Sequence, residues 1–291
     1  MTLGHFVSTK IPCDSVMKTP VALEQHEDNW KTSMGAWFPG DRVVFRGKDL
    51  LNELKDISWV GLLLFGITGR FFNEKQVRLF EGLWSLSASF PDPRLWNNRV
   101  AALAATARST GNLAVSGAVA VSEARIYGRG ADIRAIDFLL RTKSKIDAEE
   151  DLGEIIREEL RERRVIPGYG RPITNKDERI VPVKRLAEEL GFLHGTYVDL
   201  AFNIEQQLAR GRWRMRMNIA ALCAALAADQ GLSRQEYYYI SIPSFIAGIL
   251  PCFIDSTQKP EGSFLPLRCQ RVLYEGKLPR TWNNQQKLPV A

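Results

Sequence analysis

Histidine and cysteine are scarce in this chain. Its 291 residues include 3 histidines and 4 cysteines, and none of them shows the CxxC or CxxH spacing that is typical of metal sites. We therefore expect no metal site. The cysteines (Cys13, Cys223, Cys252 and Cys269) are far apart in the sequence, which is typical of reduced thiols in a reducing compartment. We expect a cytoplasmic protein.

Long apolar runs are lacking as well. The apolar run WVGLLLF at 59–65 is much shorter than the ~20 residues that a membrane-spanning helix needs. The first thirty residues are mixed and polar, with acids at Glu24, Glu27 and Asp28, and no basic segment leads into an apolar one. We expect neither a membrane span nor a secretory signal.

The chain also lacks an excess of acidic residues, since its net charge is +6. A basic chain can attract nucleic acid or a phosphorylated ligand. Most basic residues here are interleaved with acids, as in REELRERR at 157–164, which is typical of a solvated helix face. We expect no nucleic-acid binding. A basic helical protein that binds nucleic acid is an alternative that rests on the overall charge alone.

What the sequence does contain is helical periodicity. We predict helices over 48–54, 73–86, 94–108, 113–126, 132–141, 182–190, 198–210, 218–230 and 233–250, the last interrupted by Pro243. An amphipathic stripe is formed by Ile146, Leu152, Ile155, Ile156 and Leu160. Asn73 is the predicted N-cap of the second of these helices. Only 42–45 and 271–274 have the composition of strands.

One segment is the most informative motif in the chain: PGYGRPITNKDER at 167–179. It resembles the signature PG[FY]GHx[IV] followed by DPR of the citrate synthase family, which includes the stand-alone citryl-CoA lyases. Other segments resemble that family in the same order: GDRVVFRGKDLL at 40–51, GLLLFGITGR at 61–70, RSTG at 108–111 with ARIYGRGA at 124–131, NI at 218–219, and RCQRVLYEG at 268–276. Six matches in the correct order favour a shared fold.

The resemblance implies an all-α fold of two helical domains with the active site in a cleft between them. The implied large domain, which would carry the dimer interface, comprises 32–131 and 231–291. The implied small domain is an insertion over 132–230, and residues 1–31 are expected to form an N-terminal arm. We therefore expect a homodimer, with a heterodimer with an active homologue as the alternative.

The family's catalytic residues are missing from the positions where the resemblance places them. The position of the catalytic Asp holds Ile219, which cannot accept a proton. The positions of the two catalytic His residues hold Tyr127, or Gly128 if the alignment slips by one residue, and Arg171. We predict Tyr127 and Arg171 as catalytic residues, because both can donate hydrogen bonds to an oxyanion although neither is a good proton carrier at neutral pH.

Further residues are expected to bind ligands because of the same resemblance. The segment 87–90 replaces a pair of His residues, Ser244 replaces a substrate-binding Arg, and Arg179 is retained. The predicted substrate-binding residues are Arg129, Arg179, Asn218, Ser244 and Arg271. The residues predicted to contact coenzyme A are Pro167, Gly168, Tyr169 and Gly170.

The arginines around this site suggest an anionic ligand, because a buried arginine without an anionic partner is costly. We expect a CoA thioester, a carboxylate, or both as substrates, and no tightly bound cofactor. The missing base favours non-standard Claisen-type chemistry over citrate synthesis, for example an enolate formed by decarboxylation, which needs an oxyanion donor but no base. The alternative is a catalytically inactive protein that acts as a ligand sensor or as a partner subunit.

Overall fold

The computed structural model describes residues 20–25, 27–28, 31–124, 128–171, 176–211, 215–263, 269–273 and 275–277. Helices dominate, as the sequence predicts. They are α1 Pro20–Glu24, α2 Trp59–Thr68, α3 Glu74–Ser87, α4 Trp96–Thr106, α5 Gly111–Val121, α6 Arg129–Asp147, α7 Leu152–Arg163, α8 Ile180–Leu190, α9 Thr196–Arg210, α10 Ile219–Asp229, α11 Arg234–Ser241 and α12 Ile246–Thr257, with 3-10 helices at Ile242–Phe245 and Cys269–Arg271. The strands are β1 Gly35–Phe38, β2 Arg42–Phe45 and β3 Lys48–Asp49.

The chain divides into two compact units, Met1–Phe71 and Phe72–Ala291. In the first unit, the three strands form an antiparallel sheet in the order β1-β2-β3, and β2 confirms the strand predicted at 42–45. Arg46, just after β2, donates a hydrogen bond from Nε to the carbonyl oxygen of Gly66 at 2.7 Å. This contact ties the sheet to α2.

Five helices of the second unit (α3, α5, α7, α10 and α11) begin after a residue whose side chain caps them. Asn73 caps α3 with a full capping box, in which its side chain accepts from the backbone N–H of Gln76 and the Gln76 side chain accepts from the Asn73 backbone. The predicted N-cap is therefore confirmed. Ser233 caps α11 with the same kind of capping box, and the Thr110 side chain caps α5 by accepting a hydrogen bond from the backbone N–H of Leu113. Such caps satisfy backbone donors that the first helical turn leaves without partners.

The core of the second unit is built around α10. Every residue from Ile219 to Ala228 is buried, and this helix packs against α6, α8 and α9. Alanine occupies six of these positions, and small side chains let neighbouring helices approach from several sides at once. The start of α10 is therefore held firmly in the interior, which matters because it forms part of the candidate site.

A second packed group consists of α4, α5 and α12. Its centre is formed by Ala101, Ala118 and Ile249, all fully buried. Gly248 brings α12 against the segment after α3, since a Cβ atom there would lie 1.9 Å from the carbonyl oxygen of Ser89. Only glycine allows this approach, and the contact holds the segment 87–90 in place.

Two predicted elements are wrong. Residues 48–54 do not form a helix: Lys48–Asp49 is a strand, followed by turns in which the Glu53 carboxylate accepts hydrogen bonds from Lys48 and from the Asp49 backbone. These local bonds satisfy the backbone in place of a helix. Residues 271–274 do not begin as a strand, because Arg271 ends a 3-10 helix, and Tyr274 lies outside the described residues. The predicted domain boundaries and the N-terminal arm stay a prediction.

One helical run is longer and more apolar than the sequence prediction allowed. Helices α11 and α12, with the 3-10 helix between them, form a continuous run of 24 residues, Arg234–Thr257, within which an 18-residue stretch has a mean hydropathy of 1.5. This corrects the expectation that no apolar stretch approaches the length of a membrane span. The finding is weak evidence for a span, because the core helix of a soluble protein has the same length and composition.

Candidate functional site

The second unit contains a cavity of about 360 Å³. Its walls come from the end of α3 and the segment after it, the starts of α6 and α10, the segments 170–171 and 177–179, α11, and the 3-10 helix Ile242–Phe245. The charged residues that line it are Asp132, Arg171, Asp177, Glu178 and Arg179. The apolar and aromatic residues that line it include Phe80, Leu83, Trp84, Phe90, Leu95, Ile219, Tyr237, Ile240 and Phe245.

Asp177 organises the charged wall. Its side chain is fully buried and accepts two hydrogen bonds from Arg179, each at 2.8 Å, and one from the backbone N–H of Ile219 at 2.9 Å. Burial by itself would raise the pKa of Asp177, but the bonds from Arg179 and Ile219 outweigh it and lower the pKa below the usual value. Asp177 is therefore a carboxylate that locks Arg179 to the start of α10.

Arg171 is held more loosely on the same wall. Its Nη1 lies 2.6 Å from Oε2 of Glu178, 3.1 Å from the carbonyl oxygen of Lys176 and 3.8 Å from Oδ1 of Asp177. The Glu178 side chain is 72% exposed. Because an exposed ion pair contributes little, a ligand carboxylate can replace Glu178 beside Arg171 at a small cost.

These contacts correct the argument that the arginines need an anionic ligand. Each of the three has a carboxylate of the chain itself within reach: Arg171 pairs with Glu178, Arg179 with Asp177, and Arg129 with Glu123 at 2.6 Å. The positive charges are therefore compensated without a ligand, and their presence alone no longer predicts one.

Asp132 is a cavity residue that the sequence analysis missed. It lies in the first turn of α6 and faces the cavity. Burial raises its pKa to about 7, against the opposing effect of the positive charges of Arg179, Arg129 and Arg134. The only signal in the sequence was an acid at the end of the segment GRGAD, in the first turn of a predicted helix. A single acid at the start of a helix is too common to indicate a site.

Most of the segment 167–170 packs behind the cavity and does not line it. Tyr169 is buried, and its hydroxyl donates to the carbonyl oxygen of Ala201 at 2.7 Å. Gly168 has a φ of 85°, and a Cβ atom there would lie 2.6 Å from the Cβ of Ala221. Of the four residues predicted to contact coenzyme A, only Gly170 lines the cavity, while Pro167, Gly168 and Tyr169 do not.

Asn218 connects this segment to α10. Its side chain accepts from the backbone N–H of Ala220 at 3.0 Å, so that it caps α10, and its Nδ2 donates to the carbonyl oxygen of Gly170 at 2.9 Å. Ser244 also lines the cavity, and its hydroxyl donates to the carbonyl oxygen of Ser241 at 2.8 Å. Both side chains are therefore fixed by the chain before a ligand binds.

The structure brings only part of the predicted site together. Arg171, Arg179, Asn218, Ser244 and Gly170 line one cavity, as does the segment 87–90. Arg129 does not line it, since its guanidinium is buried beside Glu123 and the rings of Tyr238 and Phe245. Arg271 lies in the exposed 3-10 helix Cys269–Arg271 and does not line the cavity either. Tyr127 lies outside the described residues.

The described part of the chain contains no group of three or more His, Cys, Asp and Glu residues that could hold a metal ion. Cys223 lines the cavity, but burial raises the pKa of its thiol far above the neutral range. It is therefore a thiol and not a nucleophilic thiolate. The cavity offers carboxylates, guanidinium groups and hydroxyls, which suit proton transfer and anion binding.

Comparison with known proteins places the fold. By sequence, the chain matches no family model and no curated protein. By structure, it is similar to citryl-CoA lyase from Hydrogenobacter thermophilus, with a TM-score of 0.75 and 20% identity over 87% of this chain and 97% of that one. It is also similar to ATP citrate lyase from Methanothrix soehngenii in complex with citrate and coenzyme A, with a TM-score of 0.65 and 16% identity over 96% of this chain.

The chain covers 47% of that ATP citrate lyase. The third similar structure is citrate synthase from Thermotoga maritima, with a TM-score of 0.60 and 20% identity over 78% of this chain and 60% of that one. At these identities the likeness shows the fold alone. The protein is a mostly helical chain with a citrate-synthase-like fold, which confirms the resemblance at the level of the fold.

Proposed function

We propose that the protein binds an acyl-CoA thioester and a carboxylate in the cavity and makes or breaks a carbon–carbon bond between them, by chemistry other than citrate synthesis. The observation that carries this proposal is the composition of the cavity wall. The lining combines the guanidinium groups of Arg171 and Arg179 with the aromatic rings of Trp84, Phe90 and Phe245. Such a wall suits a ligand with an anionic end and an apolar end.

Arg171 is the residue we expect to meet the substrate carboxylate. Its present partner, Glu178, is largely exposed and can move away, whereas Arg179 is fixed by the buried Asp177. The guanidinium of Arg171 cannot carry a proton at neutral pH, but it can hold a carboxylate or stabilise an oxyanion. In a decarboxylative route, loss of CO2 from a malonyl-type thioester leaves its electron pair in an enolate, and stabilising that enolate needs only such a donor.

Similarity of fold supports the choice of ligand class. The ATP citrate lyase structure is a complex with citrate and coenzyme A, and the positions that the sequence resemblance singles out (the segment 87–90, Arg171, Ile219 and Ser244) line one cavity here. We propose that a CoA thioester enters as a substrate and not as a tightly bound cofactor. We also propose a homodimer in the cytoplasm, and the buried free thiols of Cys223 and Cys252 are consistent with a reducing compartment.

Isothermal titration tests the proposal. The purified protein is titrated with CoA, acetyl-CoA and malonyl-CoA, each alone and with oxaloacetate or citrate. We expect a CoA ester to bind, and a carboxylate to enhance its binding. Arg171→Ala should weaken carboxylate binding at least tenfold, whereas Arg157→Ala, which removes an exposed arginine paired with Glu154 on α7, should leave it unchanged. Absence of binding by every one of these ligands contradicts the proposal.

A second candidate function is a catalytically inactive ligand sensor or partner subunit. Two observations favour it: Ile219 stands where the family has its base, and the arginines of the cavity are already paired with carboxylates of the chain. A heterodimer with an active homologue would suit this role. Mass spectrometry of the incubated ligands separates the two functions, because the second predicts binding with no change in any acyl-CoA.

A further inference from the structure

The cavity raises the question of which group can move a proton. Ile219 cannot, and the thiol of Cys223 and the hydroxyl of Tyr237 have pKa values raised by burial, so both stay protonated near neutral pH. Among the described residues, the carboxylates that line the cavity are Asp132, Asp177 and Glu178. A base in this cavity would therefore be one of these three side chains.

Hydrogen bonding separates these carboxylates. Asp177 accepts from Arg179 and from the Ile219 backbone, and these bonds outweigh burial and lower its pKa. The pKa of Glu178 is lowered by a hydrogen bond from its own backbone N–H and by one from Arg171. Bonds that favour the charged form make a carboxylate a weaker base. Asp132 accepts no side-chain hydrogen bond from any residue in the described part of the chain, and its lone pairs remain available to a ligand.

The surroundings of Asp132 combine low polarity with compensating charge. The ionisable groups that interact with it electrostatically are Arg129 and Arg134 of its own helix α6, Arg179 just before α8, Cys223 of α10 and Tyr237 of α11. The arginines stabilise the carboxylate form, while burial destabilises it more strongly. A group balanced in this way changes its protonation state near neutral pH, which suits a general base that must later act as an acid.

We propose that Asp132 is the proton carrier of this site and takes a proton from the α-carbon of the bound acyl thioester. The inference rests on the proposed function. The C–H bond breaks, an O–H bond forms on Asp132, and the electron pair of the C–H bond moves to the thioester oxygen to give an enolate, which the positive charges of Arg171 and Arg179 stabilise. Without a second substrate, the enolate carbon takes a proton back from Asp132, so that the α-hydrogen exchanges with solvent.

Hydrogen–deuterium exchange tests this step without requiring the second substrate. The protein is incubated in D2O with acetyl-CoA, alone and with oxaloacetate, and deuterium at the α-carbon is measured by mass spectrometry. We expect the wild-type protein to catalyse exchange, at a rate that rises with pH through about 7 and then levels off. Asp132→Asn should lose at least a hundredfold in exchange rate while binding acetyl-CoA within about twofold of the wild type, because the amide cannot accept the proton.

Asp137→Asn is the matched control, because Asp137 lies on the same helix, pairs with Arg141 and does not line the cavity. Its exchange rate should equal that of the wild type. Binding of acetyl-CoA without exchange by the wild type, or undiminished exchange in Asp132→Asn, overturns the proton-carrier role and leaves the proposed ligand class standing. Absence of binding in the titrations overturns both. If Asp132→Asn does not fold, the exchange rate of the wild type is measured as a function of pH instead. An exchange rate that is independent of pH between 6 and 8 contradicts the proposal.

Discussion

Replacing Asp132 by asparagine should stabilise the protein at alkaline pH and have little effect at acidic pH. The carboxyl group has a pKa of about 7 in the folded protein, against a usual value of 3.8. The folded state therefore binds the proton more tightly than the unfolded state does, and stability falls as pH rises from about 4 to above 7. Asparagine resembles the neutral form of the side chain, so the variant does not lose stability through ionisation at this position.

The size of the effect follows from the shift in pKa. A difference of about three pH units, at about 1.4 kcal/mol per unit, gives a penalty of roughly 4 kcal/mol for the ionised side chain at pH 8. This figure is an upper limit, since local rearrangement and water entry reduce the cost of a buried charge. The free energy of unfolding of Asp132→Asn should therefore exceed that of the wild type by up to about 4 kcal/mol at pH 8.

Denaturant unfolding at pH 4.5, 6 and 8 measures this difference directly. Taking the difference between variant and wild type at each pH removes the contributions of all other titrating groups. Asp137→Asn should show a small difference with little dependence on pH, because Asp137 is partly exposed and paired at the surface. A difference for Asp132→Asn that is the same at the three pH values would refute the reasoning, since it would mean that Asp132 ionises normally.

Three further changes test the framework around the site by the same unfolding measurement. Asn73→Ala removes the capping box of α3 and should cost about 1 kcal/mol, and no measurable loss would mean that solvent replaces the cap. Gly248→Ala places a Cβ atom against the carbonyl oxygen of Ser89 and should cost at least about 1–3 kcal/mol; an unchanged midpoint would contradict that close approach. Asp177→Asn leaves Arg179 without its buried partner and should cost about 3–5 kcal/mol, and a loss below about 1 kcal/mol would contradict the assigned role of Asp177.

Local signals made much of the secondary structure predictable. The segments that form α3, α7, α8 and α9 have the spacing of one buried face. Asn73, Thr110 and Ser233 have side chains that cap a helix whatever the surrounding fold. The predicted helix at 48–54 failed because its three leucines imitate a helical stripe, although only Leu54 is buried. Three apolar residues in seven positions are too few to separate a helix from a turn with side-chain hydrogen bonds.

The candidate site was predictable only where a motif marked it. Arg171, Arg179, Asn218 and Ser244 were predicted from the resemblance, and they do line one cavity. Arg129 was predicted for the same reason, but its guanidinium lies behind the cavity wall beside Glu123. The direction of a side chain depends on the packing of its helix, and a motif does not contain that information.

The sequence by itself determined the mostly helical character and the helix caps, because these depend on residues within a few positions of one another. Only the tertiary structure decided which charges are compensated and which carboxylate can titrate near neutral pH. Asp132, Arg179, Cys223 and Tyr237 are spread over more than a hundred positions, and the folded chain brings them together. The pKa of a buried group depends on the distances to its charged neighbours and on the water excluded around it, and both exist only once the helices have packed.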